Sequence, residues 1–153
     1  DDVADFKALQ ESMTTIKFTT EDQNDLFRSI AGVLHLGNLT FGADSQDQAY
    51  LTESGCKVAE QICHVLGIAV GDFTKSLLTP KIKAGRDWVV QARDKEQCQY
   101  SVEALARAMY ERMFGSLVDK INQCLYTPTS VKASPLHHHT FQIPPQLRKL
   151  LVV

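Results

Sequence analysis

The apolar residues Val102, Leu105, Met109, Met113, Leu117, Ile121 and Cys124 follow one another at steps of 3, 4, 4, 4, 4 and 3. Only a helix near 3.6 residues per turn brings such positions onto one side. The spacing predicts an amphipathic helix of about 24 residues, with Ser101 as its N-cap. Ala106, Phe114 and Val118 widen the stripe. Glu103 with Arg107, and Arg107 with Glu111, are i,i+4 pairs worth a few tenths of a kcal/mol each. So broad an apolar face on so long a helix asks for more covering surface than the other predicted helices supply. The chain therefore reads as part of something larger. Its opening on Asp1, which enters a helical pattern at once, points the same way.

The remaining elements are short. Val3, Phe6 and Leu9 predict a helix from Asp2 to Met13. A second helix starts at Thr20, where Thr20 and Gln23 have capping-box spacing. Leu26, Phe27, Ile30, Val33 and Leu34 are its expected buried stripe, and Gly37 its left-handed stop. "NLTF" reads as an extended piece and "GADSQDQA" as a polar loop. A third helix is predicted over Glu53–Leu66, with Ala59, Ile62, Cys63 and Leu66 inward and Gly67 at its end. A fourth covers Val70–Leu77, with Phe73 and Leu77 inward, and Pro80 stops it. With 153 residues, 44 % of them apolar, the class is mainly α with a small β-hairpin.

That hairpin lies in "LTPKIKAGRDWVVQ", residues Leu78 to Gln91. "PKIK" and "DWVVQ" are β-prone runs around "AGR", where Gly85 supplies a positive φ. Lys81, Lys83 and Arg86 make it basic, and Trp88 is expected to pack at its base. The local charge stands out against a net charge of −2. Asp1 to Glu53 holds ten acids against three bases; Lys75 to Lys95 holds six bases against two acids. A bulk charge near neutral argues against nucleic acid, whereas a local basic patch suits a local acidic partner.

Other chemistry is sparse. Cys56, Cys63, Cys98 and Cys124 form no CxxC pair and no zinc-ligand spacing with a histidine pair. Cys63-His64 lies in an apolar helix, a core setting. The thiols read as reduced and the compartment as cytosolic. No run reaches the ~20 apolar residues of a membrane span. There is no GxxxxGK[ST], HExxH or GxSxG. Beyond Leu125 the chain holds four of its five prolines and no clear period, so residues 126–153 are expected to be irregular. His137, His138 and His139 lack the fixed geometry and partners of a metal site.

Three stretches together resemble the myosin motor domain. They are "FRSIAGVLHLGNLTF" (Phe27 to Phe41), "CHVLGIAVGDFTKSLLTPKIKAGRDWVVQARDKEQ" (Cys63 to Gln97) and "SVEALARAMYERMFGSLVDKIN" (Ser101 to Asn122). The second resembles class II heavy chains of the non-muscle and smooth-muscle branch. Order and spacing agree with the family from Asp1 to about Leu125. The resemblance implies a segment of the upper middle subdomain of a P-loop NTPase-type head. Its parent would be an actin-activated Mg-ATPase that moves on actin filaments in the cytoplasmic actin cytoskeleton.

The resemblance also allots roles. The family's phosphate-binding loop and first switch loop precede this region and the second switch loop follows it. ATP and magnesium therefore belong to the parent, and no catalytic or cofactor residue is carried onto this chain. The loop matching Pro80 to Gln91 touches actin in the family, which assigns actin contact to Lys81, Lys83 and Arg86. The family often has arginine where Lys81 stands. Lysine keeps the charge but loses the planar two-pronged contact. The other implied partner is the remainder of the heavy-chain head, with light chains engaged only through regions outside this segment. From Tyr126 the sequence departs from the family pattern, and a motor with this ending is not expected to close its active site. The alternative is a non-catalytic helical actin-binding module that has kept the hairpin and lost the engine.

Overall fold

The computed structural model describes residues 1–125. Their elements, in chain order, are α1 (Asp2–Thr15), α2 (Thr20–Leu36), β1 (Phe41–Ala43), β2 (Ala49–Leu51), α3 (Glu53–Leu66), α4 (Val70–Leu78), β3 (Lys81–Ala84), β4 (Asp87–Val90) and α5 (Lys95–Leu125). The expected irregular tail and its histidines lie outside the described residues.

The long helix is longer than the stripe alone predicts. It begins at Lys95, seven residues before Val102. Asp94 caps it: the Gln97 amide donates to Asp94 Oδ1 at 2.7 Å, and the Gln97 side chain accepts from the Asp94 amide at 3.2 Å. Ser101, the expected N-cap, instead sits inside the helix and donates its hydroxyl to the Gln97 carbonyl at 2.7 Å. A reciprocal cap satisfies two orphan donors at once, so the Asp94 and Gln97 pair starts the helix. The added turns place Cys98 in the core. The stripe itself is as read: Val102, Met109 and Met113 are buried, and Leu105, Leu117, Ile121 and Cys124 are half-buried. Phe114 and Val118 point outward, so the face is narrower than expected.

The start of α2 also shifts by one residue. Thr19, not Thr20, is the N-cap, in a capping box with Asp22 rather than Gln23. Gln23 is thereby released to donate to Thr14 Oγ1 and the Phe18 carbonyl, tying α2 to the end of α1. The buried face of α2 is rotated away from its largest side chains. Gln23, Ser29, Gly32 and Leu36 are buried, while Ile30 is 37 % and Leu34 66 % exposed. The reason is the fit of α3 against α2. A Cβ on Gly32 would stand 2.7 Å from Leu66 Cδ2. Small residues let the helices close, and the bulky ones end up beside the contact. Gly37 ends α2 in the right-handed region (φ −65) rather than the left-handed one. Gly67 ends α3 at φ 67, as the sequence predicts.

The core lies where α2, α3, α4 and the first half of α5 meet. Leu36, Ile62, Phe73 and Val102 are its largest fully buried side chains. β1 and β2 pair antiparallel, Phe41 opposite Leu51 and Ala43 opposite Ala49. Sequence reading expects only an extended piece and a loop there. Asp44 closes the loop, with its Oδ1 accepting from the Gln46 and Gln48 amides.

One polar tie crosses from α2 to α5. Asp22 accepts from the Thr19 amide at 2.8 Å and the Thr19 hydroxyl at 2.6 Å, and pairs with Lys120. The Lys120 ammonium also lies 5.0 Å from the centroid of the buried Phe18 ring. Burial pushes the Asp22 carboxyl up, but Lys120, the Thr19 hydroxyl and the Thr19 amide together hold it below its ordinary 3.8.

Candidate functional site

The basic hairpin is rooted firmly and exposed everywhere else. Pro80, buried, stops α4 just before β3. Arg93 anchors the other leg. Its amide donates to the Leu78 carbonyl at 2.9 Å, and its guanidinium to the Leu77 carbonyl at 3.1 Å. Its own carbonyl accepts from the Ala49 amide of β2. Arg93 thus counts toward the local charge in the sequence but serves as a root in the fold.

Beyond this root all eight strand residues are exposed. The register pairs Lys81 with Val90, Ile82 with Val89, Lys83 with Trp88 and Ala84 with Asp87. Gly85 and Arg86 form the two-residue loop, with Gly85 at φ 65. Glycine at the first loop position is what a tight hairpin turn of this length requires.

Alternation along each strand sorts the side chains by face. Lys81, Lys83, Trp88 and Val90 share one face. Ile82, Ala84, Asp87 and Val89 share the other. The Gln91 amide donates to the Pro80 carbonyl at 3.0 Å, which marks that pair as hydrogen-bonded. Lys83 with Trp88, and Lys81 with Val90, are then non-hydrogen-bonded pairs, in which opposed side chains stand closest.

The structure therefore brings Lys81 and Lys83 onto one face and leaves Arg86 at the tip. Among the described residues none of the three is in an ion pair within 4.0 Å. The expectation for Trp88 is overturned: it is 62 % exposed, not packed at the hairpin base. The root is filled by Pro80 and Arg93 instead, so the indole stays out on the blade. The sequence reading takes "AGR" as the turn, whereas the structure pairs Ala84 with Asp87, and the resulting two-residue loop at Gly85-Arg86 sets Trp88 opposite Lys83. An open cleft of ≈ 190 Å³ continues the Lys81 and Val90 end of this face toward α4, where Asp72, Lys75, Ser76, Thr79 and Pro80 line it.

The donors for a nucleotide site are a different matter. Among the described residues no group of three or more His, Cys, Asp or Glu could hold a metal ion. No phosphate-cradling loop is present in the sequence. Cys63 and Cys98 are buried, and burial pushes the Cys63 thiol up to about 11, so neither is poised as a nucleophile. Among the described residues no helix is long and apolar enough to cross a membrane.

The family model of the myosin head (motor domain) matches residues 1–136. A non-muscle myosin heavy chain of Drosophila melanogaster is 46 % identical over 126 residues, covering 82 % of this chain and 6 % of that protein. The chain thus spans a small part of the curated relative it matches. It belongs to the myosin head (motor domain) family, and within that family it is most like the class II, non-muscle kind.

Proposed function

We propose that this chain supplies an actin-contact hairpin and structural helices to a motor that couples ATP hydrolysis to movement on actin filaments. The observation that carries the reading is the hairpin: a basic blade, exposed along its length, on a root fixed by Arg93 in a member of the myosin head family. Lys81, Lys83 and Arg86 are its actin-contact residues. Cations on a stiff projection steer an acidic filament and pair with it at short range. ATP and magnesium are held elsewhere in the head, and this chain by itself does not hydrolyse ATP. Its other partner is the remaining head, with light chains bound through other regions. Residues 1–125 form the motor segment, the family match runs on to residue 136, and the rest of the 126–153 tail lies beyond it. The setting is the cytoplasmic actin cytoskeleton.

The alternative is a self-sufficient helical module that binds filaments without an engine. Val3, Phe6 and Leu9 on α1, Leu34 on α2, and Tyr110, Phe114 and Leu125 on α5 are all exposed. So much outward apolar surface favours a segment that packs against further protein. The test is Lys81→Glu with Lys83→Glu in the intact motor, followed by cosedimentation with filaments across a salt series. Weaker binding with a flatter salt dependence is expected. Binding unchanged at every salt concentration would refute the assignment.

A further inference from the structure

We propose that residues 141–153 of this same chain dock on the apolar face that α1 and α2 share, as a strap over the two helices. The face is continuous. Val3, Phe6 and Leu9 recur every third residue on one side of α1, and all three are exposed. Phe27, Ile30 and Leu34 follow at steps of 3 and 4 on α2; Ile30 and Leu34 are exposed and Phe27 half-buried. The Phe6 and Phe27 rings meet across the two helices, with centroids 5.1 Å apart, and join the halves. An apolar surface spread over two neighbouring helices is a binding surface. Its rim is acidic. Asp2 and Asp5 stand one helical turn from Phe6 and Leu9, and from Asp1 to Leu36 seven acids oppose three bases.

Charge and reach select the occupant. Residues 126–153 hold Lys132, Arg148 and Lys149 and no acid, and the last thirteen, "FQIPPQLRKLLVV", are mostly apolar. A basic, apolar segment complements an acidic, apolar face. The outward side chains Tyr110 and Phe114 of α5 offer no such match, because α5 carries four acids and four bases, and they remain for further protein. The point where the tail leaves α5 is also near. Lys120 pairs with Asp22 and lies over Phe18, at the junction of α1 and α2. Leu125, five residues on, ends the helix about 7.5 Å further along. Residues 126–140 can span up to about 50 Å, whereas α1 is about 21 Å long. A tether of this reach holds its end near the face at about millimolar effective concentration. The segment lies past residue 136, where the family match stops, so the contact belongs to this chain and not to the shared motor pattern.

The test places a photocrosslinker on the face, as Leu34→p-benzoylphenylalanine in the whole 153-residue chain, at its most exposed side chain. Equal amounts of unlabelled and nitrogen-15-labelled chain are mixed and irradiated, and the joined peptides are identified by mass. Position 34 is expected to join a residue of 141–153 in the same chain. Leu150→Asp/Leu151→Asp should cut that yield at least about fivefold and speed amide exchange at Phe6 and Leu9 by about as much. Arg148→Glu/Lys149→Glu should cut the yield about threefold. Circular dichroism checks that each variant keeps its helices. Joined peptides of mixed isotope would overturn the strap in favour of a second copy on the face. Joined peptides that never include 141–153, or none at all, would overturn it outright. A yield that Leu150→Asp/Leu151→Asp leaves unchanged would overturn the apolar contact, and one that Arg148→Glu/Lys149→Glu leaves unchanged would overturn the charge match.

Discussion

Replacing Lys120 with methionine tests the join between α2 and α5 most directly. The substitution keeps the stem and removes the charge. Asp22 is only 12 % exposed and Lys120 31 %, so the pair stands between the surface and buried limits. Exposed pairs are worth about 0–1 kcal/mol, and breaking a fully buried one costs about 3–5 kcal/mol. Here Asp22 keeps two hydrogen bonds from Thr19 after the change, which limits the loss. The ammonium over Phe18 adds about 0.5–1 kcal/mol. Together these give about 1.5–3 kcal/mol of destabilisation near neutral pH. The pH dependence has a definite sign. A carboxyl held below its ordinary value in the folded state contributes stability above that value and loses it as pH falls through the folded value. Lys120 is one cause of the lowering, so its removal shifts the carboxyl upward. The gap between parent and variant should be widest near neutrality and should narrow as pH falls from the ordinary 3.8 through the lower folded value, leaving about 0.5–1 kcal/mol from the ammonium over Phe18. Urea unfolding followed by circular dichroism, across pH and with the Asp22→Asn and double variants, reads this out. A coupling under about 0.3 kcal/mol at neutral pH, the noise of additivity, or a gap that does not narrow in acid, would refute the reasoning.

Other outcomes follow from single close approaches. A Cβ on Gly55 would lie 2.3 Å from the Thr40 carbonyl oxygen, so Gly55→Ala should cost about 1–3 kcal/mol in the same unfolding assay through overpacking against backbone. Gly85→Ala forces an alanine to φ 65 and should loosen the hairpin by about 1 kcal/mol, seen as faster amide exchange at Ala84 and Asp87 with the helices unchanged. A thiol reagent at pH 8 should label exposed Cys56 quickly and Cys63, pushed up to about 11, only after unfolding. Equal rates at the two would contradict the core assignment.

Much of the fold is legible because it is local. Periodicity gives all five helices, and the Gly67 stop follows from a glycine's access to positive φ. The basic hairpin follows from two β-prone runs around a glycine. Cap choices are less legible, since neighbouring residues offer competing boxes: Thr19 with Asp22 defeats Thr20 with Gln23, and Asp94 with Gln97 defeats Ser101. At the candidate site, Lys81, Lys83 and Arg86 are readable as exposed cations. The exposure of Trp88 is not, because it depends on what else fills the hairpin root.

Sequence by itself therefore determined the helices, the hairpin, its turn and its charge, and the family through three long motifs. Those properties rest on residue spacing and backbone preference within a few turns of chain. Tertiary structure alone decided which face of α2 is buried, that Arg93 is a root rather than a free cation, and that Asp22 meets Lys120 across 98 positions. Each depends on how closely two distant elements can approach. That distance is set by the side chains of both, Gly32 against Leu66 being the clearest case, and a one-dimensional pattern along either element does not contain it.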